Sequence, residues 1–201
     1  HSCDIRDEPG VKQMITDVLA AHGRIDGLVN NAGGQYPQPV RDISLKGWDA
    51  VVRNNLHGGF LVSREAYTQW MEGHGGAIVN IIADIWHGWP DFAHSGASRG
   101  GTLVMSETAA CEWATAGVRV NCVAPGGIAS SGFDRYPPEA KARICSHHPA
   151  HRASGRCTGG WAPTTGRATV RGSWSRSTRR RVKLIRRARC RSCSPRFSRG
   201  R

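Results

Sequence analysis

The last 51 residues of this 201-residue chain contain no aspartate or glutamate. All 15 acidic residues lie in residues 1–150, which carry a net charge of −3, whereas residues 151–201 carry a net charge of +16. The overall charge of +13 therefore belongs to the C-terminal part and does not make the whole chain a nucleic-acid-binding protein. Long apolar runs are absent as well, since none approaches the ~20 residues that span a bilayer.

The N-terminal stretch HSCDIRDEPG lacks an initiator methionine, and it lacks the charged and apolar regions of a signal peptide. We therefore expect the chain to begin after the start of its domain. Cysteine occurs seven times, and Cys111 and Cys122 lie in apolar runs, as is typical of reduced, buried cysteines. Because nothing in this pattern indicates an oxidising compartment, we expect a cytoplasmic protein.

Helix and strand patterns alternate from residue 1 to about residue 144. Apolar residues at helical spacing predict helices over 8–23, 44–75 and 96–116. Uninterrupted apolar segments in IDGLVNNAGG, GAIVNIIAD and GVRVNCVAPGG predict strands that are buried on both faces. Since the order is β-α-β-α-β-α-β with no hairpin signal, we expect an α/β fold with a doubly wound parallel sheet. Ligands of such sheets bind at the carboxyl ends of the strands.

The two predicted helices that precede residue 76 have recognisable ends and apolar faces. Gly23 is placed to end the first helix, and Ser44 is placed to cap the second. The residues on one face of the first helix are Val11, Met14, Ile15, Val18 and Leu19, and those close to helical spacing in the second are Leu45, Trp48, Val52, Leu56, Phe60 and Trp70.

Glycines and small polar residues follow two of the predicted strands. Asn31, Ala32 and Gly33 follow the first strand, and Pro125 and Gly126 follow the last. Glycine in such loops lets a flat ligand or a pyrophosphate approach the backbone closely, although the same residue types also make ordinary turns. Two such loops at one edge of a parallel sheet favour a ligand site.

Four motifs in this order resemble the short-chain dehydrogenase/reductase family: CDIRD, NNAG, NNLHGGF and RVNCVAPGG. The resemblance covers roughly residues 2–144 and implies a partial Rossmann-like domain. It implies that Asp4 contacts the adenine of a dinucleotide and that Asn55 is the active-site asparagine. The other residues that it places against the cofactor are Asn31, Ala32, Gly33, Arg99, Pro125, Gly126 and Ile128.

The tyrosine and lysine that most members of this family use for catalysis are missing. The family's YxxxK spacing puts the lysine beside the phenol on one helix face, where it lowers the pKa of the proton donor. Here Ser95 stands at the tyrosine position and Arg99 at the lysine position, while Ile82 and Ala83 occupy the region of the family's catalytic serine. Of the usual catalytic group only Asn55 remains.

The segments NNAGGQ, AHSGASRGG and EWATAGVRVNCVAPGG, with arginine at the lysine position, resemble one branch of the family. Its members are trans-2-enoyl-CoA reductases, dienoyl-CoA reductases and citronellol dehydrogenases. The resemblance implies NADP(H)-dependent reduction of an α,β-unsaturated acyl-CoA, which needs hydrogen-bond donors for an enolate oxygen and only a modest acid. The alternatives are citronellol-type alcohol or aldehyde chemistry, and a non-catalytic fragment with a basic binding tail.

Several residues could serve this chemistry. Arg99 suits a permanent cation for the cofactor ribose or phosphate, and Ser95 could donate a hydrogen bond. His94 could be the acid, because its ordinary pKa lies near 6.5, or it could be a surface or loop histidine. Tyr136 follows the Pro-Gly loop and could line the substrate pocket.

No glycine-rich phosphate-binding loop precedes Asp4. The resemblance implies that this loop and a central strand are missing, which would leave an unpaired apolar sheet edge and weak or absent dinucleotide binding. We therefore expect this fragment of the enzyme to be inactive. The strand that selects NADP(H) over NAD(H) would be missing with them. The long helix and the 96–116 helix pair subunits in the family, so we expect a homo-oligomer for the intact protein.

Residues 145–201 differ from the rest of the chain, and we expect a low-order, Arg-rich tail after a domain that ends at residue 144. Leu, Ile, Val and Phe together number five in residues 151–201, which is too few for a core. Three interpretations remain: a zinc site, for which the sequence offers little support, a nonspecific nucleic-acid-binding segment, or a shifted reading frame. The candidate residues are Cys145, His147, His148, His151, Cys157, Cys190 and Cys193 for zinc, and Trp161, Trp174 and Phe197 for base stacking.

Overall fold

A computed structural model describes residues 1–86, 88–126, 128, 131–146 and 184–185. The helices are α1 (Glu8–His22), α2 (Leu45–Val52), α3 (Gly58–Ala66), α4 (Glu72–His74), α5 (Ala93–Glu112), α6 (Ser131–Asp134) and α7 (Pro138–Ser146). The strands are β1 (Gly27–Asn30), β2 (Gly76–Ile81), β3 (Val118–Val123) and β4 (Leu184–Ile185), and a 3-10 turn spans Val40–Asp42. Apart from β4, the tail predictions for residues 147–201 lie outside the described residues.

The sheet has the order β1-β2-β3-β4. Strands β1, β2 and β3 are parallel, with Asn30 opposite Asn80 and Asn80 opposite Cys122. This confirms the predicted α/β architecture. The short strand β4 pairs antiparallel with Cys122 and Val123. It forms where two of the few apolar residues of the tail are adjacent.

Helix α1 begins and ends as its sequence predicts. Gly23 adopts φ 72°, and its N–H bonds to the Leu19 carbonyl at 2.8 Å, which closes the last turn. Only glycine takes this left-handed conformation without strain. Val11 and Ile15 are buried, so the predicted apolar face is the one that packs on the protein.

The predicted long helix forms as α2, α3 and α4, joined by two π turns at Arg53–His57 and Tyr67–Met71. The Ser44 side chain caps its start by accepting from the Gly47 N–H at 3.1 Å. Two of the apolar residues at helical spacing are exposed, since Leu45 and Phe60 have exposed fractions of 75% and 44%. Leu45 lies in the first turn, and Phe60 follows a π turn, whose additional residue per turn shifts the buried face.

Helix α5 starts at Ala93 and ends at Glu112, several residues earlier at both ends than the predicted 96–116. The Gly96 N–H bonds to the Phe92 carbonyl at 2.8 Å, so the helix takes up the residues before the glycine. His94 and Ser95 consequently lie in its first turn. Ser95 and Arg99 are then one turn apart on the same helix face.

A buried polar ladder fixes the carboxyl ends of β1 and β2. The Asn30 amide donates to the Asn80 side-chain oxygen at 2.7 Å and to Ser63 Oγ at 2.8 Å. The Asn80 amide donates in turn to Ser106 Oγ on α5, also at 2.7 Å. Because buried amides without partners are costly, this ladder locks the strand ends to helices α3 and α5. No helix in the described part of the chain is long and apolar enough to cross a membrane.

Candidate active site

A cleft of about 660 Å³ opens at the carboxyl ends of β1, β2 and β3. Its rim consists of the loops that follow the strands, including Asn31, Gly33, Pro125, Gly126 and Ile128. The predicted position of the ligand site therefore agrees with the position of the cleft. Ala32 lies on the same loop as Asn31 and Gly33 and is exposed, but it does not line the cleft.

Asn55 fixes the loop after β1. Its Oδ1 accepts from the Gly34 N–H at 2.8 Å, and its Nδ2 donates to the Gly34 carbonyl at 2.9 Å. Asn55 is buried in the first π turn, and the wider turn is a common feature of functional sites. The side chain thus pairs with both backbone polar groups of one residue and holds the loop against the helix.

Arg99 is the partly buried cation of the site. Its Nη1 donates to the Ile81 carbonyl at 3.0 Å, its Nη2 to Gln35 Oε1 at 3.2 Å, and its Nε to Ser95 Oγ at 3.3 Å. Burial lowers the pKa of Arg99 from its ordinary value, and the nearby Tyr136 opposes that shift. The guanidinium still remains charged in the ordinary pH range, so the cleft contains a fixed positive charge.

Ser95 is fully buried against Arg99 and Gln35. Its hydroxyl accepts from Arg99 and lies 3.5 Å from Gln35 Oε1, and it does not line the cleft. This geometry favours a role in holding the Arg99 guanidinium. The tyrosine position of the family is therefore occupied by a side chain directed into the protein.

His94 is fully buried, so the surface or loop alternative for this residue is wrong. Its Nδ1 accepts from the Ser95 N–H at 2.9 Å, and its ring meets Tyr36 edge-on at 4.7 Å. Burial lowers the pKa of His94. The ring does not line the cleft, and among the described residues Nε2 has no hydrogen-bond partner. His94 packs beneath the site.

Asp4 lies in a separate groove, which Lys46, Asp49 and Arg53 also line. The hydrogen bonds from Arg6 lower the pKa of Asp4 to about 2, and the carboxylate is exposed. The cleft thus has the loop backbone and the charge that suit the nicotinamide and ribose end of a dinucleotide. The residue that the resemblance assigns to the adenine does not face this cleft.

Gln35 lies at the centre of the site, although its sequence context does not predict a functional role. Its side chain contacts Arg99 and Ser95 through Oε1 and the Tyr136 hydroxyl through Nε2, the last at 3.0 Å. Tyr136 lines the cleft as expected. The sequence signal for a functional role of Gln35 is its position directly after NNAGG. A glutamine in a loop does not by itself indicate a catalytic or binding role.

The sequence profile of the short chain dehydrogenase family matches residues 1–140, which is most of the chain. The chain belongs to this family. The parallel sheet, the long helix with Asn55 and the loops around the cleft are thus features of this family of oxidoreductases. Members of the family generally bind NAD(P)(H).

Two curated relatives act on CoA thioesters according to their names. The chain is 34% identical to the (2S)-[(R)-hydroxy(phenyl)methyl]succinyl-CoA dehydrogenase subunit BbsD of Thauera aromatica, with 73% of the chain and 59% of the relative covered. It is 35% identical to a probable 2,4-dienoyl-CoA reductase of Bacillus subtilis, with 64% and 52% covered. The chain therefore spans between half and three fifths of the length of these relatives.

Among solved structures, the chain is 45% identical to the citronellol catabolism dehydrogenase (AtuB) of Pseudomonas aeruginosa PAO1. The match has a TM-score of 0.62 and covers 77% of this chain and 71% of that one. The similar proteins thus include enzymes named for acyl-CoA and for terpenoid chemistry.

Proposed function

We propose that the protein reduces the carbon–carbon double bond of an α,β-unsaturated acyl-CoA with a reduced nicotinamide dinucleotide. The observation that carries this proposal is the donor cluster of Arg99 and Gln35 in the cleft, with serine and arginine at the tyrosine and lysine positions of the family. Such a site suits an enolate oxygen better than the direct protonation of a carbonyl oxygen. A 35% identical relative is named as a dienoyl-CoA reductase.

The side of the cleft formed by the segment before α5 and by helices α6 and α7 is largely apolar. Its apolar residues are Trp89, Pro90, Phe92, Phe133, Ala140 and Ile144. Trp89 and Phe92 have ring centroids 4.8 Å apart, and Phe92 is almost completely buried. An acyl chain would gain about 25 cal/mol for each Å² of apolar surface that it buries here.

The bound dinucleotide would supply hydride to the β-carbon of the substrate. As the hydride adds, the electron pair of the double bond moves towards the thioester carbonyl and makes its oxygen negative. Three of the five N–H groups of Arg99 are engaged by Ile81, Gln35 and Ser95. We assign the other two to this oxygen, since a fixed cation in a partly dry cleft stabilises a developing oxyanion.

Oxidation or reduction of a terpenoid alcohol or aldehyde is the second candidate. It is favoured by the 45% identity to the citronellol catabolism dehydrogenase and by the phenol of Tyr136 in the cleft. An apolar terpenoid would use the same apolar wall. The two candidates differ in the bond that accepts hydride, and therefore in the substrates that react.

A comparison of substrates tests the proposal. The purified chain is assayed with NADPH at equal concentrations of a medium-chain trans-2-enoyl-CoA and of citronellal, whose aldehyde is not conjugated. We expect kcat/KM for the enoyl-CoA to exceed that for the aldehyde by about 100-fold or more. A rate difference of this size is typical when a fixed hydrogen-bond donor has no developing charge to stabilise in the transition state. Faster reduction of the aldehyde would contradict the proposal and favour the terpenoid candidate.

The separate location of Asp4 leads to a prediction about cofactor affinity. If the cleft holds only the nicotinamide and ribose end, the adenosine half adds little binding energy. We expect NADPH, NADH and reduced nicotinamide mononucleotide to bind this chain with Kd values within about 10-fold of one another, a difference of about 1.4 kcal/mol. Fluorescence titration measures all three. Binding of NADPH more than 100-fold tighter than the mononucleotide would contradict this prediction.

We propose that the protein self-associates through the faces of the long helix and α5. Helix α5 packs along α2 and the first π turn, while Phe60 on α3 and Val104 on α5 are 44% and 61% exposed. Contiguous exposed apolar patches mark interaction sites, and these two side chains lie on the two helices that pair subunits in the family. Val104→Glu is expected to shift the protein towards monomer in sedimentation velocity, and Lys12→Glu on α1 is the control. Equal sedimentation of both variants would contradict the proposal.

A further inference from the structure

The orientation of the Gln35 amide follows from its neighbours. Arginine has N–H donors and no acceptor, so the Gln35 atom that faces Arg99 Nη2 at 3.2 Å must be the oxygen. The amide nitrogen then faces the opposite direction, towards the Tyr136 hydroxyl at 3.0 Å. Arg99 therefore determines which end of Gln35 meets Tyr136, although the two side chains share no hydrogen bond.

This orientation decides the role of the phenol. The Gln35 amide nitrogen can only donate, so the oxygen of Tyr136 accepts that bond and its own proton must be directed elsewhere. The ring is held edge-on by Phe92 at 5.7 Å and by Phe133 at 6.2 Å. Tyr136 also lines the cleft together with Arg99. The phenolic proton is thus available to a molecule in the cleft.

We propose that Tyr136 is the proton donor of the reaction, and that Gln35 is the positioning residue that couples it to Arg99. The proposal rests on the proposed function. In this arrangement the cation comes from α5, as at the family's lysine position, but the phenol comes from the segment between α6 and α7. The serine at position 95 then has no proton to supply.

Hydride adds to the β-carbon, and the electron pair of the carbon–carbon double bond is taken up as an enolate. The enolate α-carbon forms a bond to the proton of Tyr136 while the phenolic O–H bond breaks. The resulting phenolate accepts the Gln35 N–H bond, lies near the Arg99 charge and regains a proton from water. One hydride and one proton are consumed for each double bond reduced.

Two variants of the full chain test the assignment by turnover. Tyr136→Phe removes only the hydroxyl and keeps the ring against Phe92, so we expect kcat to fall about 100-fold with KM within about 3-fold, as for loss of a general acid. Gln35→Glu keeps the shape but replaces the donor with an acceptor, which draws the Tyr136 proton away from the cleft. We expect kcat of the Gln35→Glu variant to fall by a similar factor. Tyr67→Phe, where the ring stacks on Trp113, is the matched control and should retain native kcat.

A binding measurement separates this assignment from the proposed function. The probe is 4-nitrophenolate, an oxyanion that accepts the Tyr136 hydrogen bond whether or not any substrate turns over. We expect Tyr136→Phe and Gln35→Glu each to weaken its binding about 10-fold, the effect of one charge-assisted hydrogen bond. If the native chain reduces no enoyl-CoA, the proposed function fails, while weakened binding by the two variants still supports Tyr136. Native kcat in Tyr136→Phe, or unchanged phenolate binding, would overturn the assignment.

Discussion

Replacing Arg99 with methionine is expected to lower kcat for enoyl-CoA reduction by about 1,000-fold, which is the effect of removing a preorganised charge from an active site. Methionine keeps an unbranched apolar stem like the methylene chain of arginine but lacks the guanidinium, so the charge and its donors are removed while the packing of the stem is kept. The change removes the donors to Ile81, Gln35 and Ser95 at once. The Gln35 oxygen then keeps only the long contact with the Ser95 hydroxyl, at 3.5 Å, so the amide is held less firmly in the orientation that serves Tyr136.

Arg99→Lys is the matched variant. Lysine keeps the positive charge but has a single ammonium group, which cannot span the three partners that the planar guanidinium reaches. We expect kcat of the lysine variant to be about 30-fold below the native value, which lies between the native protein and the methionine variant. Steady-state kinetics give kcat, and urea unfolding of each variant shows whether the fold is intact. A methionine variant with kcat within about 10-fold of the native value would contradict the role of Arg99.

Gly33→Ala is expected to lower kcat/KM by about 100-fold, because a displacement of about 1 Å in a catalytic arrangement has an effect of that size. A Cβ at this position would overlap the Oδ1 atom of Asn55 and would lie 3.5 Å from Arg99 Nη2. The Asn55 amide cannot move aside without breaking both of its bonds to Gly34. The substitution therefore releases the loop on which Gln35 lies.

Gly34→Ala is the control for this prediction, since it adds the same methyl group one residue later. Its Cβ would meet only the Asn54 amide, at the ordinary contact distance of 3.5 Å. We expect this variant to keep kcat/KM within about 5-fold of the native value, a cost of roughly 1 kcal/mol. Equal decreases of kcat/KM in the two alanine variants would show that the loop tolerates no side chain at either position. The overlap with Asn55 would then not be the cause of the lower activity of Gly33→Ala.

The sequence predicts the layer structure well because local signals agree with tertiary packing. Gly23 ends α1, Ser44 caps α2, and the continuous apolar segments become β1, β2 and β3. The ends of α5 were harder to predict. The glycines at its start resemble a helix boundary, yet the backbone bond from Gly96 to Phe92 carries the helix past them.

The candidate site could be predicted only in part. Asn55, Gly33 and Arg99 belong to family motifs, and the structure brings them together. The link from Arg99 through Gln35 to Tyr136 joins residues 35 and 136, which are 101 positions apart in sequence. No periodicity or motif spacing indicates such a contact, because it arises from the crossing of two loops at the carboxyl edge of the sheet. The burial of His94 was missed for the same reason, since Tyr36 comes from the loop after β1.

The most direct test of the account follows the hydride itself. The protein is incubated with citral, an aldehyde conjugated to a double bond, and with NADPH carrying deuterium at both C4 positions of the nicotinamide, and the product is examined by ²H and ¹³C NMR. This substrate offers the β-carbon and the carbonyl carbon in one molecule. We expect deuterium at the β-carbon, with the new α-hydrogen derived from water. Deuterium at the carbonyl carbon, in an allylic alcohol, would contradict this expectation and establish alcohol dehydrogenase chemistry instead.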